Sequence, residues 1–557
     1  MFSLARLGVA ALPLLSSLSA LAQKLPQVDL GYEIHQAISF NATGQLYNFS
    51  NIRYAQPPTG DLRFAAPVPP TGRNNVVQNG SVGRVCPQGI PYWSPIASEF
   101  TAYLLAGNAS SFNFTAANDQ LQITLQNAKP TPPDPRTSED CLFLDVIVPK
   151  AVFDNKTGAP VIVWIYGGGY TLGSKGQWGN PSGLIKASQK DGSDGIIYVA
   201  MNYRLGALGW MAGPTFAASG GTPNAGLHDQ RLAIEWVARY IHLFGGDPNQ
   251  ITLLGESAGG GSIVHQITAY GGQKGVSFQR AISQSPGFDP VPSAFTQENI
   301  TNSFLSLLNV TTLDEARKKS SDEVITANSI QVGLSVYGTF TYGPMVDGDF
   351  VPNLPGVLLS TGQFAKNITV MVGHNTQEAP GFTPPNVRTN AEVGAWLRMM
   401  FPGIVQPVVD YITDTLYPPV YDGSQPYHSA LERTLLMVQE AIFACSTSYL
   451  HKAFGNNTWS YEFQVPPGLH GADIQYTYYN GQGTNLTAGM IAPVAELLQG
   501  YLVNFAKKGN PNGPGLPFFP MQGKNSSMNA INATYVRQER DDMANQRCYW
   551  WQKGLYG

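Results

Sequence analysis

The chain has 557 residues, of which 43% are hydrophobic and 13% charged, and its formal net charge is −4. This share of apolar residues can fill a large core, which excludes a mainly disordered, collagen-like or coiled-coil chain. The absence of a basic run excludes nucleic acid as a partner. The cysteines and histidines lack the spacing of a zinc site.

The first 22 residues have the pattern of a secretion signal. Arg6 supplies positive charge, an apolar stretch runs from Leu7 to Leu18, and Ala20-Leu21-Ala22 fits a cleavage site. The apolar stretch is short and ends in small residues, which argues against a membrane anchor, and no later run is long enough to cross a bilayer. The sequence therefore predicts a secreted, extracellular protein whose mature chain begins at Gln23.

Secretion in turn predicts N-glycans and disulfide bonds. Thirteen Asn-X-Ser/Thr sequons support a glycoprotein, at Asn41, Asn48, Asn79, Asn108, Asn113, Asn155, Asn299, Asn309, Asn367, Asn456, Asn485, Asn525 and Asn532. The four cysteines allow three pairings, between which spacing alone does not choose, and they are Cys86, Cys141, Cys445 and Cys548.

Short apolar runs that look like buried strands alternate with helical patterns through the middle of the chain. The strand-like runs cover residues 141–148, 161–166, 196–202, 251–254, 281–283 and 368–372. Apolar residues recur at helical spacing from Ala233 to Phe244 and again in 490–506. Strands that alternate with helices predict an α/β fold with a large, mostly parallel central sheet flanked by helices.

Two long segments interrupt this alternation. Residues 87–140 are rich in Pro, Ser and Asn, and only 97–105 fit a short helix. Residues 297–433 look mainly helical outside the 368–372 run. Because loops of this length are either functional lids or plain insertions, the 87–140 segment is a candidate for both.

Three glycines at 167–169 directly follow the 161–166 run. Without side chains, they let the backbone approach a substrate and point amide groups at it, as an oxyanion-hole loop does. Gly168 and Gly169 are the candidate donors. A flexible loop at a strand end is the plain alternative, whereas a phosphate-binding loop would need a Lys-Ser/Thr that is missing here.

The sequence Gly255-Glu256-Ser257-Ala258-Gly259 follows the 251–254 run and precedes a helix-compatible stretch. In this context G-x-S-x-G is typical of a nucleophile elbow, where small residues relieve the crowding of a sharp turn and the serine hydroxyl is exposed. We therefore predict Ser257 as a nucleophile and the Ala258 amide as a further oxyanion donor. Taken alone, the motif would fit a structural turn equally well.

A nucleophilic serine needs a base and an orienting carboxylate, and in α/β-hydrolases both follow it in the chain. His470 comes after a strand-like run and a Pro-Pro-Gly loop, and Glu378 comes after the 368–372 run. Loops at the carboxyl ends of strands are where such residues belong. Position alone leaves surface roles open for both, and Asp347 or Asp473 could supply the acid instead.

With these residues placed, the sequence resembles the type-B carboxylesterase/cholinesterase/lipase family over nearly the whole mature chain. The resemblance rests on YAQPPTGDLRF (54–64), SEDCLFLDV (138–146), WIYGGGY (164–170), NYRLGALGW (202–210), NAGLHDQRLAIEWV (224–237), FGGDP (244–248) and GESAGG (255–260). Weaker matches are FQRAISQS (278–285), GHNTQE (373–378) and the surroundings of His470. The resemblance implies the α/β-hydrolase fold and hydrolysis of carboxylic esters.

The resemblance also assigns individual residues. It implies Glu378 as the catalytic acid and His470 as the base, with Glu256 and Ser285 close to them. It implies two buried structural ion pairs, Arg63 with Glu139 and Arg204 with Asp229. The disulfides that it implies are Cys86–Cys141 and Cys445–Cys548.

Several positions depart from the family pattern. Cholinesterases carry a tryptophan shortly before the SEDC motif that binds a quaternary ammonium group. Residues 129–135 contain no aromatic side chain here, so choline esters are not expected as substrates, although Trp93 or Tyr92 could act in its place from elsewhere in the chain. Ala379 follows Glu378 where glycine is usual, and Pro286 follows Ser285.

We therefore predict one catalytic domain, residues 23–557, that cleaves a small-molecule or lipid-like ester through an acyl-enzyme on Ser257, with no metal or cofactor. The first alternative is a lid-gated lipase that acts on acylglycerols. The second is a catalytically inactive, esterase-like binding module, and retention of Ser257, Glu378 and His470 argues against it.

Overall fold

The computed structural model describes residues 25–127, 134–287, 293–481 and 489–557, so the predicted signal sequence at 1–22 lies outside the described residues. The strands are β1 (Gln27–Asp29), β2 (Glu33–Gln36), β3 (Ser39–Asn41), β4 (Leu46–Arg53), β5 (Asn74–Gln78), β6 (Phe143–Pro149), β7 (Ala159–Ile165), β8 (Ile197–Met201), β9 (Gly246–Glu256), β10 (Arg280–Gln284), β11 (Thr369–Asn375), β12 (Trp459–Phe463), β13 (Ser527–Ile531) and β14 (Val536–Arg540).

The helices are α1 (Ser94–Leu105), α2 (Phe114–Asn127), α3 (Lys150–Asn155), α4 (Ser182–Ser188), α5 (Ala207–Trp210), α6 (Pro214–Ala218), α7 (Ala225–Tyr240), α8 (Ala258–Thr268), α9 (Ala294–Leu307), α10 (Leu313–Arg317), α11 (Ser321–Gly333), α12 (Pro355–Ser360), α13 (Asn390–Met400), α14 (Gln406–Asp410), α15 (Ala430–Val438), α16 (Cys445–Ala453), α17 (Ala472–Thr477), α18 (Ala492–Lys508) and α19 (Gln546–Trp551). A π-helical turn, Gln439–Ala444, joins α15 to α16.

Eleven strands of the described residues form one sheet, in the order β14-β13-β12-β11-β10-β9-β7-β8-β6-β4-β3. From β13 to β8 the neighbouring strands are parallel, and antiparallel strands flank this part on both sides. The predicted mostly parallel sheet is confirmed, and the six strand-like runs of the sequence correspond to β6 through β11.

Helices cover the parallel part of the sheet. Helices α7, α8 and α18 pack against β7, β9 and β10, and every residue of β8 is buried. Parallel strands need crossover helices that lie on the faces of the sheet. This double coverage explains why these strands are nearly continuous apolar runs in the sequence.

The two long segments are mainly helical. The helix expected at 97–105 lies within α1, whereas α2 was not predicted. Residues 297–433 hold most of α9 and all of α10 to α14. Helices α10, α11 and α13 begin with reciprocal capping boxes, Thr312 with Glu315, Ser320 with Glu323 and Thr389 with Glu392, which satisfy backbone donors that the first turn leaves free.

Among the described residues, no helix combines the length and the apolar character that crossing a bilayer requires. The carboxyl ends of β7, β9, β11 and β12 open on the same edge of the sheet because the strands are parallel. The turns that follow these four strands carry the candidate site.

Candidate active site

Ser257 occupies the sharp turn between β9 and α8, with φ 55° and ψ −124°. This backbone conformation is strained for a residue other than glycine. A Cβ atom at Gly259 would lie 2.0 Å from the carbonyl oxygen of Ile165, and one at Gly255 would lie 2.7 Å from the carbonyl oxygen of Gly259. The two glycines of the motif are thus required because β7 and the start of α8 approach this closely.

Three side chains meet in one hydrogen-bonded line at this turn. His470, in the loop between β12 and α17, has its Nε2 2.8 Å from Ser257 Oγ and its Nδ1 2.5 Å from Glu378 Oε2. The loops that carry the acid and the imidazole are held together by a parallel bridge between Gln377 and Leu469. The structure therefore brings together the residues predicted as nucleophile, base and acid.

The carboxylate of Glu378 is fully buried and hydrogen-bonded on both oxygens. Its Oε1 accepts from the Ser285 hydroxyl at 2.7 Å and from the Asn375 amide at 2.5 Å. Its backbone amide donates to Gln439 Oε1 at 3.3 Å. Burial alone would raise the pKa of Glu378, but the positive charge of His470 and these hydrogen bonds hold it below its usual value.

Glu256 is the second carboxylate beside the imidazole, with its Oε1 3.5 Å from His470 Nε2. Burial raises the pKa of Glu256 to about 8 against the attraction of His470. Burial disfavours the charged imidazole, but Glu378 and Glu256 outweigh that effect and raise the pKa of His470 to about 9. The surroundings of His470 therefore stabilise an imidazolium ion.

The glycine loop that follows β7 lies directly against Ser257. A Cβ atom at Gly167 would be 2.7 Å from the Cβ of Ser257, and Gly168 and Gly169 have φ of 118° and 59°. Within the described part of the chain, neither the Gly168 nor the Gly169 amide donates to a protein acceptor. The Ala258 amide is the first of α8 and has no acceptor within its helix. Three amides are thus available beside the serine hydroxyl.

Ser257 opens into a cavity of about 290 Å³. Close to the serine its wall is aromatic, with the rings of Phe382 and Phe443 centred 5.2 and 4.3 Å from that of His470. The described residues that line it include no Asp, Glu, Lys or Arg. The cavity therefore suits an uncharged, apolar group next to Ser257.

Comparison with known proteins agrees with this geometry. A sequence profile described as the carboxylesterase family matches residues 35–551. This chain belongs to the carboxylesterase family. The predicted family resemblance is confirmed, and membership makes the chain a carboxylic ester hydrolase.

The relatives of this carboxylesterase include two curated fungal proteins. Carboxylesterase patB of Penicillium expansum is 42% identical over 548 residues, which cover 96% of this chain and 97% of the relative. A protein named secreted lipase, from Arthroderma benhamiae, is 30% identical over 439 residues, 75% of this chain and 83% of the relative. The crystal structure of Aspergillus niger EstA superposes with a TM-score of 0.77 at 24% identity, over 95% of this chain and 98% of that one, and shares the fold.

Behind the site of this carboxylesterase lies a buried polar network that the sequence did not reveal. The carboxylate of Asp473 accepts hydrogen bonds from Tyr461 OH at 2.6 Å, from Gln284 Nε2 at 3.1 Å and from Asn375 Nδ2 at 3.2 Å. These donors lie on β12, β10 and β11. Burial raises the pKa of Asp473. Asp473 thus ties together the ends of three strands rather than contacting His470.

The remaining candidates lie elsewhere. Asp347 accepts from Asn224 Nδ2 at 2.7 Å and from the amides of Asp349 and Val351, so it is not the partner of the imidazole. None of the other described histidines after the elbow is hydrogen-bonded to Ser257, and they are His265, His374, His428 and His451. Within the described residues, no group of three or more His, Cys, Asp or Glu side chains could hold a metal ion.

The implied disulfides and ion pairs are present in the carboxylesterase. Cys86 is bonded to Cys141 and Cys445 to Cys548, so the pairing implied by the resemblance is confirmed. The buried ion pairs measure 2.6 Å from Arg63 to Glu139 and 2.7 Å from Arg204 to Asp229.

Proposed function

We propose that this carboxylesterase cleaves esters with a Ser257–His470–Glu378 triad and forms an acyl-enzyme on Ser257. The observation that carries the proposal is the continuous line of hydrogen bonds from Ser257 Oγ through His470 to the buried carboxylate of Glu378. Ser257 lies at a cavity whose described lining holds no Asp, Glu, Lys or Arg side chain. A serine hydrogen-bonded to an imidazole that a buried carboxylate orients is the arrangement that activates a serine nucleophile.

In the first half-reaction, Ser257 Oγ attacks the ester carbonyl while His470 Nε2 takes its proton. The amides of Gly168, Gly169 and Ala258 hold the oxyanion, and each such donor is worth roughly 3–4 kcal/mol. Collapse of the tetrahedral intermediate breaks the ester bond, and His470 protonates the leaving alcohol. Water then attacks the acyl-enzyme with the same base, so no metal or cofactor takes part.

Glu256 and Ser285 support this cycle without touching the substrate. The Glu256 carboxyl group lies 3.5 Å from His470 Nε2, where its charge, present once the pH exceeds its raised pKa, favours the imidazolium that forms during attack. The Ser285 hydroxyl donates to Glu378 Oε1 at 2.7 Å, which fixes the acid so that its other oxygen faces the imidazole.

The substrate is a small-molecule or lipid-like ester without charge next to the scissile bond. The apolar lining of the cavity supports this, because a charged group there would lose hydration without gaining a partner. The stretch 129–135, on which the expectation against choline esters rested, lies mostly outside the described residues. The expectation against choline esters therefore stays a prediction, because aromatic rings rather than charged side chains bind a quaternary ammonium group.

The test compares turnover of p-nitrophenyl butyrate by the wild type, by Ser257→Ala and by Ser98→Ala. Ser98 is an exposed serine on α1 and serves as the matched control. We expect Ser257→Ala to lose activity by about 10⁶-fold and to lose labelling by a fluorophosphonate probe, with no change in Ser98→Ala. Equal rates in wild type and Ser257→Ala would refute the mechanism. Failure of the wild type to be labelled would instead favour the inactive binding module.

A lipase is the second candidate function, and exposed apolar side chains at the cavity favour it. Leu334 and Met399 line the cavity and are 69% and 51% exposed, and Phe295, which precedes the lining residue Thr296 in the chain, is 75% exposed. Apolar side chains that surround an opening in this way fit contact with a lipid surface. Activity on tributyrin across its solubility limit tests this, since a lipase activated at the interface gains activity at the limit and a plain esterase does not.

We further propose one secreted, glycosylated catalytic domain spanning residues 23–557. The single large sheet, with strands from residue 39 to residue 540, supports one domain. Sequons such as Asn41, Asn155 and Asn367 are exposed, whereas the Asn532 amide donates to the Gln464 carbonyl and is unsuited to a glycan. Asn485 lies outside the described residues. N-terminal sequencing of the protein secreted by a yeast host would give Gln23 first if the proposed cleavage is right.

A further inference from the structure

The start of the 87–140 segment is bonded to the glycine loop. We call residues 86–93 the anchor segment. Gln88 Oε1 accepts a hydrogen bond from the Gly173 amide at 2.9 Å, and the Gly89 amide donates to the Thr171 carbonyl at 2.9 Å. Both contacts reach the residues that immediately follow the proposed oxyanion donors.

Gly173 transmits this contact to the nucleophile. Its φ is +116°, and a Cβ atom there would lie 2.7 Å from the carbonyl oxygen of Gly167. Gly167 in turn lies against Ser257, since a Cβ atom at Gly167 would be 2.7 Å from the Cβ of the serine. Backbone packed this closely shifts as a unit. The position of Gly173 therefore sets where the amides between these two glycines point.

The anchor segment also holds the opposite side of the loop. Trp93 Nε1 donates to the carbonyl of Thr339 at 3.0 Å, and its ring is centred 5.7 Å from that of Phe340. Phe340 covers Gly169, where a Cβ atom would come within 2.4 Å of the ring. The glycine loop is thus enclosed between two contacts of the same short segment.

The base of the anchor segment is itself fixed. Cys86 and Cys141 are fully buried and disulfide-bonded, so the segment begins beside β6. By contrast, the described part of α2 has no fully buried residue. Movement of 86–93 would break the hydrogen bonds of Gln88 and Trp93, whereas movement of α2 would break neither.

We propose that Gln88 is a positioning residue for the oxyanion loop. It holds Gly173 so that the Gly168 and Gly169 amides point at the developing oxyanion, and residues 86–93 are a fixed support rather than a lid. The inference rests on the proposed function. It separates a fixed beginning of the 87–140 segment, residues 87–93, from helix α2, whose described part has no fully buried residue.

The experiment compares Gln88→Met with Gln120→Met. Methionine keeps the length of glutamine but cannot accept the Gly173 hydrogen bond, and Gln120 is an exposed glutamine on α2 of the same segment. Rates are normalised to active sites titrated with a fluorophosphonate. We expect kcat of Gln88→Met on p-nitrophenyl butyrate to fall about tenfold with KM within about twofold. Affinity for an alkyl trifluoromethyl ketone should fall by a similar factor, and hydrogen exchange of residues 168–173 should accelerate.

Wild-type kcat, inhibitor affinity and exchange in Gln88→Met would overturn the proposal, and so would an equal loss in Gln120→Met. If Gln88→Met does not fold, Gln88→Asn is measured instead. Asparagine keeps the amide group, but its side chain is too short to reach the Gly173 amide, and kcat, inhibitor affinity and hydrogen exchange are compared in the same way. A wild type that neither hydrolyses esters nor reacts with the probe overturns the proposed function as well. An active, labelled wild type beside an unaffected Gln88→Met overturns only the role of Gln88.

Discussion

The carboxyl edge of the parallel sheet and the cavity wall above it are built in different ways. At the edge, Ser257, Glu378 and His470 lie in turns that follow β9, β11 and β12, and backbone contacts fix them. In the wall, Phe340 and Phe443 come from segments that lie far apart in the chain, and each ring packs on that of Phe382, with centroids 6.5 and 4.9 Å apart. Under the proposed mechanism, we expect the edge to determine which bond is cleaved and the wall to determine which ester reaches it.

This difference predicts two kinds of response to substitution. A change at the edge alters charge or hydrogen bonding at the reacting atoms, so it should affect all substrates alike. A change in the wall alters shape, so it should affect substrates unequally.

Glu378→Gln should have the largest effect, a fall in kcat of about 10⁴-fold on every ester. The amide cannot stabilise the imidazolium that His470 becomes during attack. Steady-state kinetics on several p-nitrophenyl esters measure it, with Glu496→Gln, an exposed carboxylate paired with Lys190, as the control. A loss below tenfold, or one that depends on the acyl chain, would contradict the assignment of Glu378 to the edge.

Asp473→Ala should come next and act on stability as well as rate. The substitution removes the acceptor of the buried Tyr461 hydroxyl and one of the acceptors of Gln284 and of Asn375, and a buried donor left unpaired costs about 1–3 kcal/mol. We expect the free energy of unfolding in urea to fall by about 3 kcal/mol, while the exposed Asp422→Ala changes it by less than about 0.5 kcal/mol. Unchanged stability would show that the strand ends are held by other contacts.

Phe340→Ala should change selectivity rather than chemistry. The ring lies over Gly169 in the cavity, so its removal makes room for a longer chain. We expect the ratio of kcat/KM for octanoate over acetate p-nitrophenyl esters to rise about tenfold. Phe518→Ala, an exposed ring that does not line the cavity, should leave the ratio unchanged. An equal fall in kcat/KM for both esters would mean that Phe340 affects the chemical step rather than the choice of acyl chain, which would contradict its assignment to the wall.

Glu256→Gln should give the smallest effect, a shift of the pH profile. His470 acts as a base only when neutral, so kcat/KM rises as the pH increases through its pKa. That pKa is raised to about 9 by Glu378, Glu256 and Asp473 against the effect of burial. Removing one negative charge lowers the pKa, and the rising limb should move to lower pH. Glu235→Gln, exposed on α7, should not move it, and a shift to higher pH would contradict this account.

The edge could be predicted from the sequence because its signals are local. Strands buried on both faces are continuous apolar runs, and β6 through β11 were identified in this way. The glycines at 167–169 and around Ser257 mark places where backbones touch. Position along the chain, followed by a family resemblance, then pointed to Glu378 and His470. Each of these inferences needs only a short window of sequence.

The rest could not be predicted because it depends on contacts between distant segments. Nothing near Gln439 indicates that it accepts from the Glu378 amide, and nothing near Gln88 indicates that it reaches Gly173. Asp473 was a rival for the triad acid on position alone, and only the hydrogen bonds of Tyr461 and its neighbours give it a different role. Short strands such as β5, exposed along most of its length, carry no apolar run to detect.

The π-helical turn Gln439–Ala444 joins α15 and α16 into one continuous helix and sets the directions in which its side chains point. A π turn contains one residue more than an α turn, and one residue corresponds to about 100° around the axis. Before the extra residue Gln439 faces Glu378, and after it Phe443 packs on His470 and Cys445 reaches Cys548. Deleting a single residue here would turn the later side chains by more than a quarter of a revolution away from the earlier ones. One inserted residue thus lets a single helix contact Glu378, His470 and Cys548 at once.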